Sequence, residues 1–483
     1  MNGLEPARVW RHFQTLCAIP RPSKHEEAIR AHIRGWAQGR GLATAVDAAG
    51  NLLLRKRATA GREQRPGIVL QGHLDMVCQA ASSPAPDRPH DFMKDPIRVE
   101  RADGWLRAPA TTLGADNGIG VALALAALED EALVHGPLEV LLTVDEEAGM
   151  GGAHGLHPGW LESRLLLNLD TEAWGEFYLG CAGGCDVEVA RSVARLPLPA
   201  DCAVCEIAVG GLRGGHSGCD IHLGRGNANR LLVRVLRSLQ QVLGATALRL
   251  CALQGGSARN ALPREATALV AVAPGVALGP LLAPLEAALR QEFAEVDAGV
   301  CLSWRAAQAN FVIAVADQEA LLSAVEASPY GVRSISADFP GVVDSSNNLG
   351  IVALVDGEFS ANLMVRSLRD AGTAALAADI ERVWRASGCE VSVGGRYPGW
   401  TPNPASALLA LCQRVYRREF GSESRVTVIH AGLECGIIGA KYPGLDMVSF
   451  GPTIRGAHAP GESVEIAAVA KAWRLLAAIL AAV

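Results

Sequence analysis

The chain runs to 483 residues, room for two or three domains of ordinary size, and its 49% hydrophobic and 19% charged residues supply a large core and exclude wholesale disorder. Lys and Arg number 44 against 50 Asp and Glu, a net charge of −6, so no sequence-independent grip on nucleic acid is expected. The 52 glycines and 25 prolines are scattered singly, which means many turns and excludes a fibre.

Two helical patterns come first. In the second, Ser23 sits three residues before Glu26 as a capping box, and Ile29, Ile33 and Trp36 follow at helical spacing. Residues 1–20 lack the basic start, apolar run and small-residue cleavage site of a signal peptide. Short strands are predicted over 51–55 and 67–71, a buried helix over 118–128, and strands over 138–144 and 165–169. Such alternation predicts an α/β domain with a mixed, mostly parallel sheet and helices on both faces.

After residue 185 the pattern changes. Strands are predicted over 186–190 and 203–210, a long helix over 227–243 and a strand over 266–273. Helices follow over 280–293 and 318–327, then strands over 350–354 and 361–366. This order predicts an inserted α+β domain of about 200 residues, large enough for two similar halves. From residue 396 the α/β pattern returns, with a helix over 406–420, a strand over 445–450 and a final amphipathic helix over 467–483. The expected organisation is one domain built from 1–185 and 396–483, interrupted by a second over 186–395.

The longest uncharged stretch, 266–285, is broken by Pro274-Gly275, Gly279-Pro280 and Pro284, and the last helix carries Lys471 and Arg474. No membrane span is therefore expected, and the cytoplasm is the default location. The 12 cysteines show no zinc-ribbon spacing, and the isolated pair Cys202 and Cys205 lies in a strand-like run. They read as buried thiols of a reducing compartment.

Five polar clusters end apolar strands or sit in glycine-rich loops. His73 and Asp75 close the run beginning at Ile68, where alternation puts them on one face. Asp116 stands just ahead of the buried helix, Glu146 and Glu147 follow a strand, Asp170 follows another, and His458 lies in a Gly/Pro-rich loop. In parallel α/β sheets, ligands gather at the carboxyl ends of the strands. Two imidazoles and several carboxylates, with no thiolate beside them, suit zinc, cobalt or manganese. Two metals with three protein ligands each need six bonds. His73, Asp116, Glu147, Asp170 and His458 supply five residues, and a bridging carboxylate supplies the sixth bond. The coordination left open marks a catalytic centre.

The motifs QGHLDMV, TTLGADNGIG, LLTVDEEAGM, NLD and GPTIRGAH resemble those of the co-catalytic zinc peptidases related to aminoacylase, carnosinase and peptidase T. With GLRGGHSG, ARNALPRE and VIHAGLECG the resemblance narrows to the dipeptidases of that family, and it covers nearly the whole chain from IPRPSKHEE onward. It implies that the interrupted domain is catalytic and the inserted one a lid. It also implies that His73, Asp116 and Asp170 hold one metal, that Asp116, Glu147 and His458 hold the other, and that Asp116 bridges. Asp75 is then the partner that orients His73, and Glu146 the general base. In the lid, His216 is implied at the oxyanion, and Asn260 and Arg366 at the substrate's carboxylate. His430 and Glu434 are candidates for the substrate pocket, with a supporting structural role equally open. A cis peptide between Asp116 and Asn117 is implied as well.

The function expected is hydrolysis of unblocked dipeptides, Xaa-His among them, with two divalent ions per chain, zinc first and cobalt or manganese able to substitute. Partners are small peptides, with no nucleic acid or membrane, and a homodimer is possible on this reading. An amidohydrolase acting on N-acyl or N-carbamoyl amino acids would share the same metal core. A non-catalytic metal-binding protein would have lost the base, yet Glu146 stands beside Glu147.

Overall fold

A computed structural model describes residue 1, residues 3–81 and residues 90–483. The chain divides into two compact units. The first comprises Met1–Gly180, Trp400–Val428 and Leu433–Val483; the second comprises Cys181–Gly399 and Ile429–Gly432. The sequence places the return to the first domain at 396, and the compact units part at Gly399/Trp400.

The first unit is built on an eight-stranded mixed sheet. Its four central strands, Leu138–Thr143, Ile68–His73, Leu165–Asn168 and Asp446–Ser449, run parallel. Antiparallel strands Ala43–Val46 and Leu52–Lys56 flank them on one side, and Glu176–Cys181 flanks them on the other. Every residue of Ile68–His73 and Leu138–Thr143 is buried, as expected of a parallel sheet covered on both faces. On one face Leu52, Leu54, Leu70 and Val140 join a core with Val9, Trp10 and Phe13 of helix Ala7–Ala18 and Ile29 and Ile33 of helix Glu27–Gln38. Helix Ala115–Glu129 is apolar all round and buried from Asn117 through Leu128. A Cβ at Gly120 would collide with the Leu169 carbonyl, so glycine there lets this helix lie against the segment leading to Asp170.

Ser23 does not cap a helix. Helix Glu27–Gln38 starts after Glu26 with no side-chain cap. The Glu26 carboxylate instead accepts the amides of Lys24 and Asp145, each at 2.9 Å, and Ser23 Oγ donates to Asp75 Oδ2 at 2.7 Å. Both residues of the expected capping box are spent on the loops above the sheet.

The second unit is built on a nine-stranded sheet, antiparallel in every pairing described. Its strands include Ala203–Gly210, Leu248–Gly255, Val343–Val355, Glu358–Ser367, Gly183–Ser192 and Glu390–Tyr397. Ile207, Val209, Val187, Val189 and Leu363 share a core with helices Ala228–Leu243, Leu278–Glu292, Val315–Ala327 and Asp370–Ala386. Asn227 caps the first of these through its side chain, which accepts the Arg230 amide. A separate two-stranded ribbon pairs His216 with Ala261 and Gly215 with Leu262. Among the described residues no helix is long and apolar enough to cross a membrane.

Candidate functional site

In the first unit, parallel register puts the carboxyl ends of the central strands at one edge. His73 is the last residue of its strand, Glu146 and Glu147 lie in the turn after Thr143, and Asp170 follows Asn168 by two residues. Asp116 sits at the start of helix Ala115–Glu129, at a cis Asp116–Asn117 peptide. His458 occupies a loop with left-handed backbone, φ 65°.

These five ligand candidates come together. His73 Nε2 lies 3.2 Å from Asp116 Oδ1 and 3.5 Å from Asp170 Oδ1. His458 Nε2 lies 3.1 Å from Asp116 Oδ2 and 3.1 Å from Glu147 Oε2. Each triplet, His73–Asp116–Asp170 and Asp116–Glu147–His458, offers donor atoms within 4.8 Å of one another. Asp116 thus turns one oxygen to each group. His73, Glu146 and Glu147 form a third such combination.

Asp75 ties the centre together. It is fully buried, and its Oδ1 lies 3.4 Å from His73 Nδ1. Its carboxylate also accepts the amides of Glu146 and Glu147, at 3.0 and 3.1 Å. Burial opposes its charge, but the bonds from His73, Ser23 and the Glu146 amide win and hold it down at about 2. With Nδ1 facing Asp75, His73 presents Nε2 to the triplet, as a metal-bound histidine does.

Negative charge is in surplus here. Burial, then the neighbouring Glu147, Asp170 and Glu434, push Glu146 well above the carboxylate range, although His73 opposes this. Burial, with Asp116 next, raises Glu172 to about 8, and burial raises Asp170 to about 6. Hydrogen bonds to Asp116 and Glu147 raise His458 to about 11. Glu147 Oε1 is buried without a partner. Buried carboxylates that crowd two imidazoles and leave an oxygen unpaired form a donor set suited to cations.

Three supports escape the sequence reading. Glu462 accepts the amides of Leu113, Gly114, Ala115 and Asp116, at 2.6 to 3.2 Å, and so fixes the loop that presents Asp116. Arg21 is fully buried and donates to the carbonyls of Leu74, Asp75 and Gly114, joining the loops of Asp75 and Asp116. Ser23 fills the remaining place on Asp75. Arg21 and Ser23 belong to the IPRPSKHEE motif, a signal that was available; Glu462 has none beyond following His458 by four residues.

Glu434 also lies in the first unit, fully buried. Its Oε2 accepts Gln71 Nε2 and Thr143 Oγ1, each at 2.6 Å, and burial raises it to about 7. Gln71 continues to Asn168, whose Nδ2 donates to Gln71 Oε1 at 2.5 Å, and Asn168 meets Ser449. This polar chain crosses the central strands, with Gln71 and Asn168 two residues before His73 and Asp170.

The second unit gathers His216, Asn260, Arg366 and His430. His216 Nδ1 accepts the amides of Gly218 and Cys219, at 3.2 and 3.0 Å, so the ring proton sits on Nε2. The Asn260 carbonyl accepts the Ser217 amide at 2.8 Å. Arg366 is 4% exposed; its Nη1 donates to Tyr397 Oη at 2.8 Å, and its Nε is buried without a partner. His430 Nε2 lies 2.7 Å from Ser346 Oγ, and burial and the Arg366 charge hold the imidazole at about 3, so it is neutral. A Cβ at Gly218 would collide with the His430 carbonyl and come within 3.2 Å of Arg366, so glycine lets the His216 loop approach both. Tyr397 and Ser346 were not singled out in the sequence.

The chain belongs to peptidase family M20/M25/M40, whose model matches residues 69–482. It is 42% identical to the cytosol non-specific dipeptidase of Escherichia coli, over 99% of this chain and 98% of that one. Its fold matches the aminoacylhistidine dipeptidase of Vibrio alginolyticus with a TM-score of 0.85 and 42% identity, covering 100% of this chain and 97% of the other. The aminopeptidase PepT of Bacillus cereus, at 16% identity and a TM-score of 0.56 over 99% of both chains, shares the fold. The motif resemblance to dipeptidases of the zinc peptidase family is borne out.

Proposed function

We propose that the chain is a metal-dependent dipeptidase of broad specificity, cleaving unblocked dipeptides, Xaa-His among them, in the cytosol. The names of both 42%-identical relatives reported above support the substrate class, and that of the Escherichia coli protein supports the location. The observation that carries the metal part is the pair of donor triplets sharing Asp116, one oxygen to each. His73, Asp116 and Asp170 would hold one ion, and Asp116, Glu147 and His458 a second; zinc suits these donors, with cobalt or manganese as substitutes. Bound there, divalent ions supply Lewis-acid polarisation of the scissile carbonyl and make water acidic near neutral pH.

The remaining work falls to the chain. Glu146 takes a proton from the attacking water and passes it to the leaving amine. Its raised pKa suits an acid as well as a base, as both half-reactions require. Asp75 keeps His73 turned to the triplet and holds the turn that presents Glu146. In the second unit, His216 offers Nε2–H to the oxyanion, while Arg366 and Asn260 take the substrate's carboxylate. Glu434 acts beneath the centre by holding Gln71 and Thr143 in register, and neutral His430, within the field of Arg366, does not compete for its anion.

A dipeptide panel with added Mn²⁺ or Zn²⁺, compared with the corresponding dipeptide amides and N-acyl amino acids, tests this reading. Release of amino acids from free dipeptides is expected. Comparable turnover of N-acyl amino acids, with dipeptides poor, would refute it.

A further inference from the structure

Strand Val343–Val355 does more than fill the nine-stranded sheet. Asn348, fully buried on this strand, donates from Nδ2 to the carbonyl of Arg259 at 2.9 Å and to that of Ala261 at 2.8 Å. These carbonyls flank Asn260, whose own carbonyl is taken by the Ser217 amide at 2.8 Å. Three consecutive carbonyls are thus fixed, two of them by one side chain. The strand is irregular at this point: its register with Glu358–Ser367 shifts between Leu349 and Ile351, and a Cβ at Gly350 would come within 2.6 Å of Arg259 Cα. The 259–261 segment therefore lies directly on the strand, and Ala261 in turn pairs with His216. Asn348 Oδ1 is buried without a partner. An orphaned amide oxygen is a burden that apolar packing would avoid, so the residue's value lies in its two donors.

We propose that Asn348 is the positioning residue of the substrate grip. It sets the backbone from which Asn260 reaches the dipeptide's carboxylate. The proposal rests on the assignment of Asn260 to the substrate. Asn348 touches no substrate and acts only through the segment it holds, so its effect must disappear when Asn260 has no side chain to present.

The test is a double-mutant cycle on the metal-loaded enzyme, reading kcat and KM for a dipeptide and its amide. Asn260→Ala should lower kcat/KM for the dipeptide about a hundredfold and Asn348→Ala about tenfold, with the double variant within about twofold of Asn260→Ala alone. Asn348→Ala should also narrow the preference for dipeptide over amide, which a general loss of folded enzyme would not do. If Asn348→Ala does not fold, Asn348→Ser, which keeps one hydroxyl donor, takes its place with a smaller loss. Multiplicative losses in the double variant, or a single Asn348 variant within about twofold of wild type, overturn the proposal while leaving Asn260 in its role. An inert Asn260→Ala would instead remove the substrate assignment, and the proposal with it.

Discussion

The two clusters of candidate site residues are opposite in chemistry. In the first unit, carboxylates outnumber the groups that could neutralise them, and Glu147 and Glu434 each keep a buried oxygen without a donor. In the second unit the pattern inverts: Arg366 keeps a buried N–H without an acceptor, His216 carries its proton on Nε2, and neutral His430 adds no charge. A buried polar group left unpaired within its own chain is expensive, and each shortage points to the kind of partner that would relieve it. One cluster is short of cations, the other of an anion.

The largest effect that could break this contrast is metal removal. Chelation should abolish dipeptide hydrolysis, and elemental analysis of active enzyme should give two ions per chain; full turnover with one would overturn the two-ion reading. Next comes the separation of base from ligand, which the third donor combination makes necessary. Glu146→Gln should keep both ions yet lose about a thousandfold or more in kcat, whereas Glu147→Ala should lose metal as well. Retention of more than about a tenth of the turnover by Glu146→Gln would remove the base assignment, since that is only ~1.4 kcal/mol.

On the anion side the effects are smaller and of two kinds. His216→Ala should lower kcat about a hundredfold with little change in KM, because its contact strengthens as the oxyanion forms. Arg366→Ala should lower kcat/KM for dipeptides roughly a hundredfold and erase their advantage over dipeptide amides. An unchanged ratio of dipeptide to amide would dissolve the contrast between the clusters.

The smallest effect is on stability. His430 has a folded pKa near 3 against an ordinary value of 6.5. The unfolded chain therefore binds its proton first, and stability falls as pH drops from about 6.5 toward 3. At pH 5 the penalty is about 2 kcal/mol. Thermal unfolding of wild type and His430→Gln at pH 7 and pH 5 should show the variant losing less on acidification. Equal losses would place the titration elsewhere.

Much of this architecture is written locally. Leu165–Asn168 and Leu138–Thr143 are mostly apolar strands that lead into acidic residues, so both strand and site announce themselves. Helix Asp370–Ala386 was not anticipated, because Arg369 offers no cap and Gly372 sits in its first turn. Glu462 was invisible for a different reason. Its partners, Leu113 to Asp116, lie some 350 residues away, and nothing in its neighbourhood predicts that four amides converge on it. Ser23 shows how a local rule can mislead: the capping-box spacing is present, but Asp75 and the Asp145 amide are stronger claims on the two side chains.

The four-residue excursion Ile429–Gly432 has a consequence for how this protein could be taken apart. The second unit resembles an insert, but cutting out Cys181–Gly399 would not remove all of it. The Ala182 amide donates to the Ile429 carbonyl at 3.0 Å, and Ser346 meets His430 at 2.7 Å. A fragment ending at Gly399 would leave both groups of its own core bare, and the remainder would carry an orphan tetrapeptide. The chain therefore passes between the two units at four points. Grafting a foreign second unit onto this scaffold would require exchanging two segments at once, 181–399 and 429–432.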